Sequence, residues 1–281
     1  MPGHDKVRAL VLSGFGLNCD NETAHALDLA GAAASIVHIS DLTGTTKRNA
    51  TETLDDYQIL VFDGGFAWGD DHGAGVLLAT RLGNHLNSQL RSFLDRGGLV
   101  LGICNGFQAL VNLGLLPMLR GWERQVALIA NDCGNFQDRW VELLAQENSP
   151  CLFTKGLSRV DMPVRHGEGK FVCDDDTLQK LEDLGMVAVR YGDGRGKPAQ
   201  GRRPANPNGS LNDIAGICDP SGRVFGLMPH PEGYYRASQH PDWTLHRERA
   251  RRNGQEPDPL GPGLGLAVFT NAVAAAQETL A

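Results

Sequence analysis

The sequence predicts an α/β fold with a central, mostly parallel sheet, helices on both faces and an antiparallel extension. In the first half of the chain, short β-branched or aliphatic runs alternate with helical patterns, the order expected of parallel strands joined by helices. These runs are almost continuously apolar, which is typical of strands buried on both faces. In the second half, strand-like runs follow one another closely, so we expect them to extend the sheet with antiparallel strands.

The individual elements follow from these patterns. The first half has candidate strands at residues 7–12, 36–39, 59–62 and 99–103 and candidate helices at residues 21–30 and 76–93. The second half has candidate strands at residues 126–130, 139–143, 162–165, 171–173, 187–190, 214–218 and 224–228, and an alanine-rich final helix at residues 264–281. Glycine and proline make residues 192–209 and 255–265 candidate loops. Because 41% of the 281 residues are hydrophobic and no long linker interrupts them, we expect one domain.

Composition argues against several classes of protein. The net charge of −7 disfavours a nucleic-acid partner, because such binding is built largely from Lys and Arg on phosphates. No run approaches the roughly 20 apolar residues of a membrane span, and residues 1–8 lead straight into a strand rather than a signal peptide, so we expect a cytoplasmic protein. Six cysteines are scattered without a C-x-x-C pair, so we expect reduced thiols, no metal site and no disulfide framework.

The strongest functional signal is Gly102-Ile103-Cys104-Asn105-Gly106, which joins the strand at residues 99–103 to a helical run. This pattern matches a nucleophile elbow, in which flanking glycines allow a sharp turn that exposes the central side chain. The helix N-terminus would stabilise a thiolate, and the backbone N–H of Asn105 would point toward an oxyanion. Cys104 is therefore the candidate nucleophile. The alternative is a buried cysteine whose glycines only permit tight packing.

A cysteine nucleophile needs an imidazole base and an acid that orients the imidazole. Three His-x-Glu pairs are available: His166/Glu168, His230/Glu232 and His246/Glu248. The residues favour His230/Glu232, because this pair follows a strand and two prolines restrict the backbone around His230. His166/Glu168 stays open as the second choice, since it also follows a strand but lies between glycines. The third pair lies in an Arg-rich stretch that reads as helical and is the weakest candidate.

The strand at residues 59–62 ends in Asp63-Gly64-Gly65, where a glycine backbone can approach a substrate closely. Gly65 is therefore the candidate for a second oxyanion donor, and a simple turn is the alternative. Phosphate-binding patterns fail: residues 192–197 lack P-loop spacing, and Gly14-x-Gly16-x-x-Cys19 lacks the third glycine of a dinucleotide fingerprint. We expect no cofactor in this chain, so any ATP should bind to another chain.

Taken together, these residues resemble a known family: the glutaminase subunits of phosphoribosylformylglycinamidine synthase, which are class I, triad-type glutamine amidotransferases. The similarity runs nearly end to end. It rests on residues 16–20 and 22–24, Gly64-Gly65-Phe66 with Gly69-Asp70, residues 102–108, Arg139-Trp140-Val141, residues 162–169, Asn206-Pro207-Asn208-Gly209-Ser210, and residues 226–232. The G-x-C-x-G and H-P-E motifs are typical of the broad class, whereas residues 206–210 and the His166 segment are typical of this member.

The resemblance implies a flavodoxin-like, single-domain class I amidotransferase fold over residues 1–281, with a C-terminal extension at about 234–265. It implies a triad of Cys104, His230 and Glu232, which favours that His-x-Glu pair further. Gln108, four residues after the nucleophile, matches a position that helps to hold substrate glutamine, and Phe136 within residues 131–136 is a second candidate for this role. The family hydrolyses glutamine through a cysteine thioester and passes ammonia to a synthetase subunit. That subunit uses ATP and Mg²⁺ to convert formylglycinamide ribonucleotide to formylglycinamidine ribonucleotide in purine biosynthesis.

The sequence departs from the family pattern in two places. Ala67-Trp68 stands where a Ser-Tyr pair is more usual, a mild change. The tail at residues 234–265 resembles the C-terminal part of large fused synthases, which argues against the small third subunit that accompanies the shortest forms and leaves it as an alternative partner. For residues 247–252 we favour a solvated helix face over docking on the synthetase. Two alternative functions remain: a glutaminase subunit of another ATP-dependent amidotransferase, and a non-catalytic interaction module of the same fold.

Overall fold

A computed structural model describes residues 6–44, 50–256 and 258–280 of the chain. The start of the chain at residues 1–5, Pro257 in a predicted loop and Ala281 at the end of the last predicted helix lie outside the described residues. The strands are β1 (Arg8–Ser13), β2 (Ala33–His38), β3 (Ile59–Phe62), β4 (Leu99–Ile103), β5 (Val126–Ala130), β6 (Gln137–Ala145), β7 (Arg159–His166), β8 (Glu168–Cys173), β9 (Val187–Tyr191), β10 (Ile214–Cys218) and β11 (Val224–Leu227).

Nine of these strands form one sheet in the order β2-β1-β3-β4-β11-β10-β9-β6-β7. The first five pair in parallel, and the remaining pairs are antiparallel. This arrangement confirms the predicted parallel sheet and its antiparallel extension. Every residue of β3, β4 and β11 is buried, which explains why their sequences are apolar without alternation.

Two predicted strands of the extension lie elsewhere. β5 and β8 pair with each other in a separate two-stranded ribbon and not in the main sheet. A single residue, Gly167, separates β7 from β8, which is too few for a hairpin loop, so β8 does not fold back to pair with β7. Four of the six residues of β8 are only partly buried, and β5 has two partly buried and two exposed residues among its five. The prediction that all second-half strands extend the main sheet was therefore wrong for these two.

The helices are α1 (Asp20–Leu29), α2 (Ile39–Thr43), α3 (Val76–Asp95), α4 (Asn105–Asn112), α5 (Asp175–Asp183), α6 (Trp243–Arg252) and α7 (Leu266–Leu280). Helix α3 buries Leu78, Leu82, Leu86 and Leu90, whose four-residue spacing puts them on one face. Sequence analysis missed α5, which has few apolar residues. Its start is marked by Asp174, whose side chain accepts a hydrogen bond from the backbone N–H of Thr177 at 2.7 Å.

The segment after β11 packs against the antiparallel half of the sheet through aromatic rings. Trp140 of β6 lies 5.1 Å from the ring of Tyr234 and 4.7 Å from that of His240, measured between centroids. Nε2 of His240 is 3.4 Å from a carboxylate oxygen of Asp161. By contrast, α6 in the same segment has no buried residue. Among the described residues, no helix combines the length and apolar character needed to cross a membrane.

Candidate active site

Cys104 occupies a sharp turn between β4 and α4, with backbone angles φ 50° and ψ −104°. A positive φ is costly for a residue other than glycine, and such strain is typical of functional positions. The glycine on the helix side is required by packing: a Cβ at Gly106 would lie 1.9 Å from the carbonyl oxygen of Phe62. On the strand side, a Cβ at Gly102 would lie 2.5 Å from Leu110. The backbone of Cys104 is held by its N–H, which donates to the carbonyl of Leu227 on β11 at 2.8 Å.

His230 lies at the carboxyl end of β11, the strand next to β4. Its N–H donates to the carbonyl of Pro163 at 2.8 Å, and Pro231 begins the short 3₁₀ turn Pro231–Tyr234 that carries Glu232. The imidazole Nδ1 is 2.5 Å from Oε1 of Glu232, and both side chains are buried. This short hydrogen bond fixes the orientation of the ring and leaves Nε2 as the nitrogen available for proton transfer.

The electrostatics of His230 link it to both neighbours. Burial alone would lower the pKa of His230, but the carboxylate of Glu232 and the sulfur of Cys104 together raise this pKa well above its usual range. The thiol of Cys104 lies 3.5 Å from the carbonyl oxygen of Arg165. Within the described residues, Nε2 of His230 has no direct hydrogen bond, and the raised pKa favours the state in which this nitrogen carries the thiol proton of Cys104, as an imidazolium beside a thiolate.

The second pair, His166/Glu168, lies close by but is held differently. Nδ1 of the buried His166 is 3.1 Å from the side-chain oxygen of Asn131, and burial together with the nearby His230 lowers the pKa of His166 to about 4. The carboxylate of Glu168 instead accepts the N–H of Ala74 at 3.0 Å. The two members of this pair therefore have separate partners, and His166 is neutral at physiological pH.

The third pair, His246/Glu248, is on the exposed helix α6. Glu248 accepts a hydrogen bond from its helix neighbour Arg252 at 2.9 Å, and the ring of His246 is tilted against that of His240, with centroids 4.5 Å apart. Of the three pairs, all within the described part of the chain, His230/Glu232 alone has a hydrogen bond between its two members. The geometry thus favours the pair that the sequence favours.

The two predicted oxyanion donors follow adjacent parallel strands, Gly65 after β3 and Asn105 after β4. Gly65 has φ 142°, and a Cβ there would lie 2.6 Å from the carbonyl oxygen of Gly16, so only glycine fits. Its neighbours are fixed by backbone bonds to the loop after β1, from Asn18 N–H to Gly64 at 3.1 Å and from Phe66 N–H to Gly16 at 2.9 Å. Asn105 is the first residue of α4, where backbone N–H groups have no partner within the helix.

The predicted glutamine-binding residues differ in exposure. Gln108 is only 3% exposed, and its side chain is engaged at both ends: Oε1 accepts from Asn105 at 3.2 Å, and Nε2 donates to the carbonyl of Glu168. Gln108 therefore ties the His166 segment to the elbow helix. Phe136 is half exposed and lies 6.1 Å from Phe66 between ring centroids, at the rim beside the Gly65 turn. Substrate contact by Gln108 and Phe136 stays a prediction.

The motif at residues 206–210 acts on the same segment. The side-chain amide of Asn208 donates to the carbonyl of Gly169 at 2.7 Å, and the hydroxyl of Ser210 lies 3.3 Å from the same oxygen. That hydroxyl also accepts the N–H of Phe171 at 3.0 Å. The two motifs that are typical of this subfamily in the sequence are thus packed together, and they position β8 beside the elbow.

Two polar residues that the sequence reasoning did not assign also lie at the site. The thiol of Cys19 is 4.0 Å from Nδ1 of His230, and burial raises its pKa to about 11. Asp63 is fully buried and accepts a hydrogen bond from the hydroxyl of Thr23 at 3.0 Å. Burial, then the charge of Glu232, raises the pKa of Asp63 well above its usual range. Their positions along the chain were the available signal. Asp63 directly follows β3, the neighbour of β4, and Cys19 lies in the loop after β1, the neighbour of β3. Loops at the carboxyl ends of parallel strands are where such sheets bind ligands.

Known proteins resemble the chain over nearly its full length. Residues 6–274 match the family model described as a CobB/CobQ-like glutamine amidotransferase domain. The chain is 45% identical over 268 residues to phosphoribosylformylglycinamidine synthase subunit PurQ of Methanococcus maripaludis, covering 95% of this chain and 96% of that one. It is 43% identical over 273 residues to the subunit of the same name from Dehalococcoides mccartyi, covering 97% and 99%. Among solved structures it resembles PurLQS from Thermotoga maritima, with a TM-score of 0.66 and 30% identity over 96% of this chain and 98% of that one.

Proposed function

The chain belongs to the CobB/CobQ-like glutamine amidotransferase domain family, and we propose that it is the glutaminase subunit of a phosphoribosylformylglycinamidine synthase. In this function it hydrolyses glutamine to glutamate and ammonia. The ammonia is consumed by a synthetase subunit that converts formylglycinamide ribonucleotide to formylglycinamidine ribonucleotide. Relatives with the name of this subunit match over at least 95% of the chain, which supports the assignment over service to a different synthetase.

One observation carries the catalytic proposal: a strained cysteine and a buried His-Glu pair lie at the carboxyl ends of adjacent parallel strands, β4 and β11. Cys104 is the nucleophile, and Nε2 of His230 accepts its thiol proton. The thiolate attacks the carboxamide carbon of glutamine and forms a C–S bond. The developing oxyanion is stabilised by the backbone N–H groups of Gly65 and Asn105.

The intermediate then collapses with cleavage of the C–N bond, and His230 returns its proton to the leaving amine, which departs as ammonia. A water molecule attacks the resulting thioester while His230 accepts its proton. Glutamate leaves, and the proton returns to the sulfur of Cys104. Throughout, Glu232 keeps the proton of the neutral imidazole on Nδ1 and stabilises the imidazolium when it forms.

The remaining assignments follow from the same proposal. Gln108 and Phe136 help to hold the substrate, Gln108 chiefly by fixing the segment around Glu168. ATP and Mg²⁺ bind on the synthetase subunit, and the complex works in the cytoplasm. We propose the synthetase as the principal partner and treat a small third subunit as a further candidate.

The experiment compares two nitrogen sources in the reconstituted complex. With Cys104→Ala, glutamine-dependent product formation should be lost, whereas synthesis from added ammonium should remain at the wild-type rate, because the synthetase chemistry does not use this cysteine. Cys133→Ala removes a partly exposed thiol that the mechanism does not use and is the control. Glutamine-dependent synthesis by the Cys104→Ala complex would refute the proposal.

Covalent labelling provides an independent check on the nucleophile. A diazoketone analogue of glutamine should add to Cys104, as located by peptide mass mapping, and an excess of glutamine should protect the thiol. Labelling of a different cysteine, or equal labelling in the Cys104→Ala protein, would contradict the assignment.

A further inference from the structure

A second cysteine, Cys19, lies near Nδ1 of His230, the ring nitrogen that does not exchange a proton with Cys104. The sulfur of Cys19, Nδ1 of His230 and a carboxylate oxygen of Glu232 all lie within 4.8 Å of one another. Thiolate, imidazole and carboxylate are the three ligand types that Zn²⁺ prefers. The three come from distant parts of the sequence, since Cys19 and His230 are 211 positions apart, which is why their spacing shows no metal motif.

The distances need only small adjustments for one tetrahedral ion. With zinc bonds of about 2.3 Å to sulfur and about 2.0–2.1 Å to nitrogen or oxygen, ligand atoms are separated by roughly 3.3–3.6 Å. The Cys19 sulfur is now 4.0 Å from Nδ1, and Nδ1 is 2.5 Å from the Glu232 oxygen. The first pair must therefore close and the second must open, each by less than about 1 Å. The Cys19 sulfur and the Glu232 oxygen, which lie within 4.8 Å of each other, must also approach, by up to about 1.3 Å.

The pocket also contains buried carboxyl oxygens without a hydrogen-bond partner. Oε2 of Glu232 and Oδ2 of Asp63 are buried and have no hydrogen-bond partner within the described residues, and both side chains are at most 2% exposed. Glu232 and Asp63 raise the pKa of the Cys19 thiol, whereas His230 lowers it. A buried carboxyl oxygen without a partner is costly, and a cation held between Cys19, His230 and Glu232 would lie beside these oxygens.

We propose that Cys19, His230 and Glu232 form a binding site for a thiophilic divalent cation, represented by Zn²⁺, that inhibits the enzyme. Binding replaces the protons on the Cys19 thiol and on Nδ1 of His230 with the metal. The imidazole then loses its hydrogen bond to Glu232 and can no longer become the imidazolium that protonates the leaving amine. The inhibitory effect rests on the proposed glutaminase function, whereas the binding of the metal does not.

The binding test uses the full-length chain in which Cys104 is already Ala, so that the nucleophile cannot itself hold the metal. Zinc affinity is measured by competition with a chromogenic chelator. Adding Cys19→Ser should weaken binding at least about tenfold, the lower end of what even changes outside the ligand shell cost a zinc site. Adding Cys173→Ser, at another partly buried thiol on β8, is the matched control and should leave the affinity unchanged.

Cobalt provides a second readout that a merely structural role of Cys19 would not affect. Co²⁺ bound to the Cys104→Ala protein should show thiolate-to-cobalt charge-transfer absorption, and this band should disappear with Cys19→Ser. Equal zinc affinity with and without Cys19, absence of the cobalt band, or loss of binding on replacement of Cys104 alone would each overturn the site.

Inhibition is tested separately on the wild-type complex. Zinc should suppress glutamine-dependent synthesis, a chelator should restore it, and Cys19→Ser should raise the inhibitory concentration at least about tenfold. If zinc binds as expected but leaves this activity unchanged, the inhibitory role is wrong. If the complex has no glutamine-dependent activity even without zinc, the proposed function fails, while the binding result stands.

Discussion

Replacing Glu232 with Gln removes one negative charge at nearly constant volume. The carboxylate oxygen lies 2.5 Å from Nδ1 of His230, and both groups are buried. A hydrogen bond to a charged group contributes about 1.5–3 kcal/mol, which corresponds to a roughly 10- to 150-fold lower rate when the imidazolium loses this support. Cys104 is untouched by the change.

The tautomer of His230 makes the expected loss larger. If the Gln amide donates to Nδ1, the imidazole carries its proton on Nε2 and cannot accept the proton of Cys104. The equivalent change in a Ser-His-Asp protease costs about 10⁴-fold. We therefore expect glutamine-dependent kcat/KM to fall between about 10²- and 10⁴-fold, with ammonium-dependent synthesis unchanged.

The assay measures both activities in the reconstituted complex, and alkylation of Cys104 by iodoacetamide at several pH values provides a second readout. Because Glu232 raises the pKa of His230, its removal should lower this pKa, so that the imidazolium partner of the thiolate is lost at a lower pH than in the wild type. Glu248→Gln, in the exposed third pair, is the control. Glutamine-dependent activity within about threefold of the wild type, or an equal loss of ammonium-dependent activity, would refute this account of Glu232.

Three further predictions concern stability. Gly106→Ala would place a Cβ 1.9 Å from the backbone of Phe62 and should destabilise the protein by about 3 kcal/mol or more. Gly83→Ala is the control, since Gly83 lies in a helix and its Cβ would be 3.3 Å from only the tip of a leucine side chain. In denaturant titrations the control should be neutral or stabilising. Asp63 keeps a proton in the folded state, whereas the unfolded chain releases this proton above about pH 4. The stability of Asp63→Asn relative to wild type should therefore increase as the pH rises above that value. A difference in melting temperature that stays constant across pH would contradict this prediction. The pKa of His166 is lowered to about 4 in the folded state, so on acidification the unfolded state takes up the proton first. The free energy of unfolding should therefore fall by up to about 3 kcal/mol between pH 6.5 and 4. Denaturation of His166→Gln should not show this loss.

The fold was predictable where the sequence pattern is local. Strands β3, β4, β5 and β10 have the predicted limits, because each is a short apolar run bounded by polar or turn residues. The β5–β8 ribbon was not predictable, since a strand pattern does not specify which strand is its partner. Helix α5 was missed because Leu178 and Leu181 are its only apolar residues, although Asp174 before it was a usable N-cap signal.

The elbow was the most predictable part of the site because all of its determinants lie within five residues. The choice among three His-x-Glu pairs was less certain from the sequence, since each offers the same chemistry at the same spacing. The structure separates them by partner: Glu232 bonds to His230, whereas Glu168 bonds to Ala74 and Glu248 to Arg252. A motif position alone does not establish that a residue contacts the substrate. The side chain of Gln108, for example, already forms hydrogen bonds within the protein through both its oxygen and its nitrogen.

Strand order explains why Cys19 and Asp63 escaped sequence reasoning. The order β1-β3-β4-β11 brings the loop after β1, the turn after β3, the elbow after β4 and the end of β11 to one edge of the sheet, because all four strands run in parallel. A sequence identifies each of these strand ends but not their neighbours. Protonation then becomes a property of the assembled edge: Glu232, Cys104 and Cys19 raise the pKa of His230, and burial and Glu232 raise the pKa of Asp63. Because one imidazole ring, that of His230, connects these groups, any group that binds at its Nδ1 changes the proton transfer between its Nε2 and Cys104.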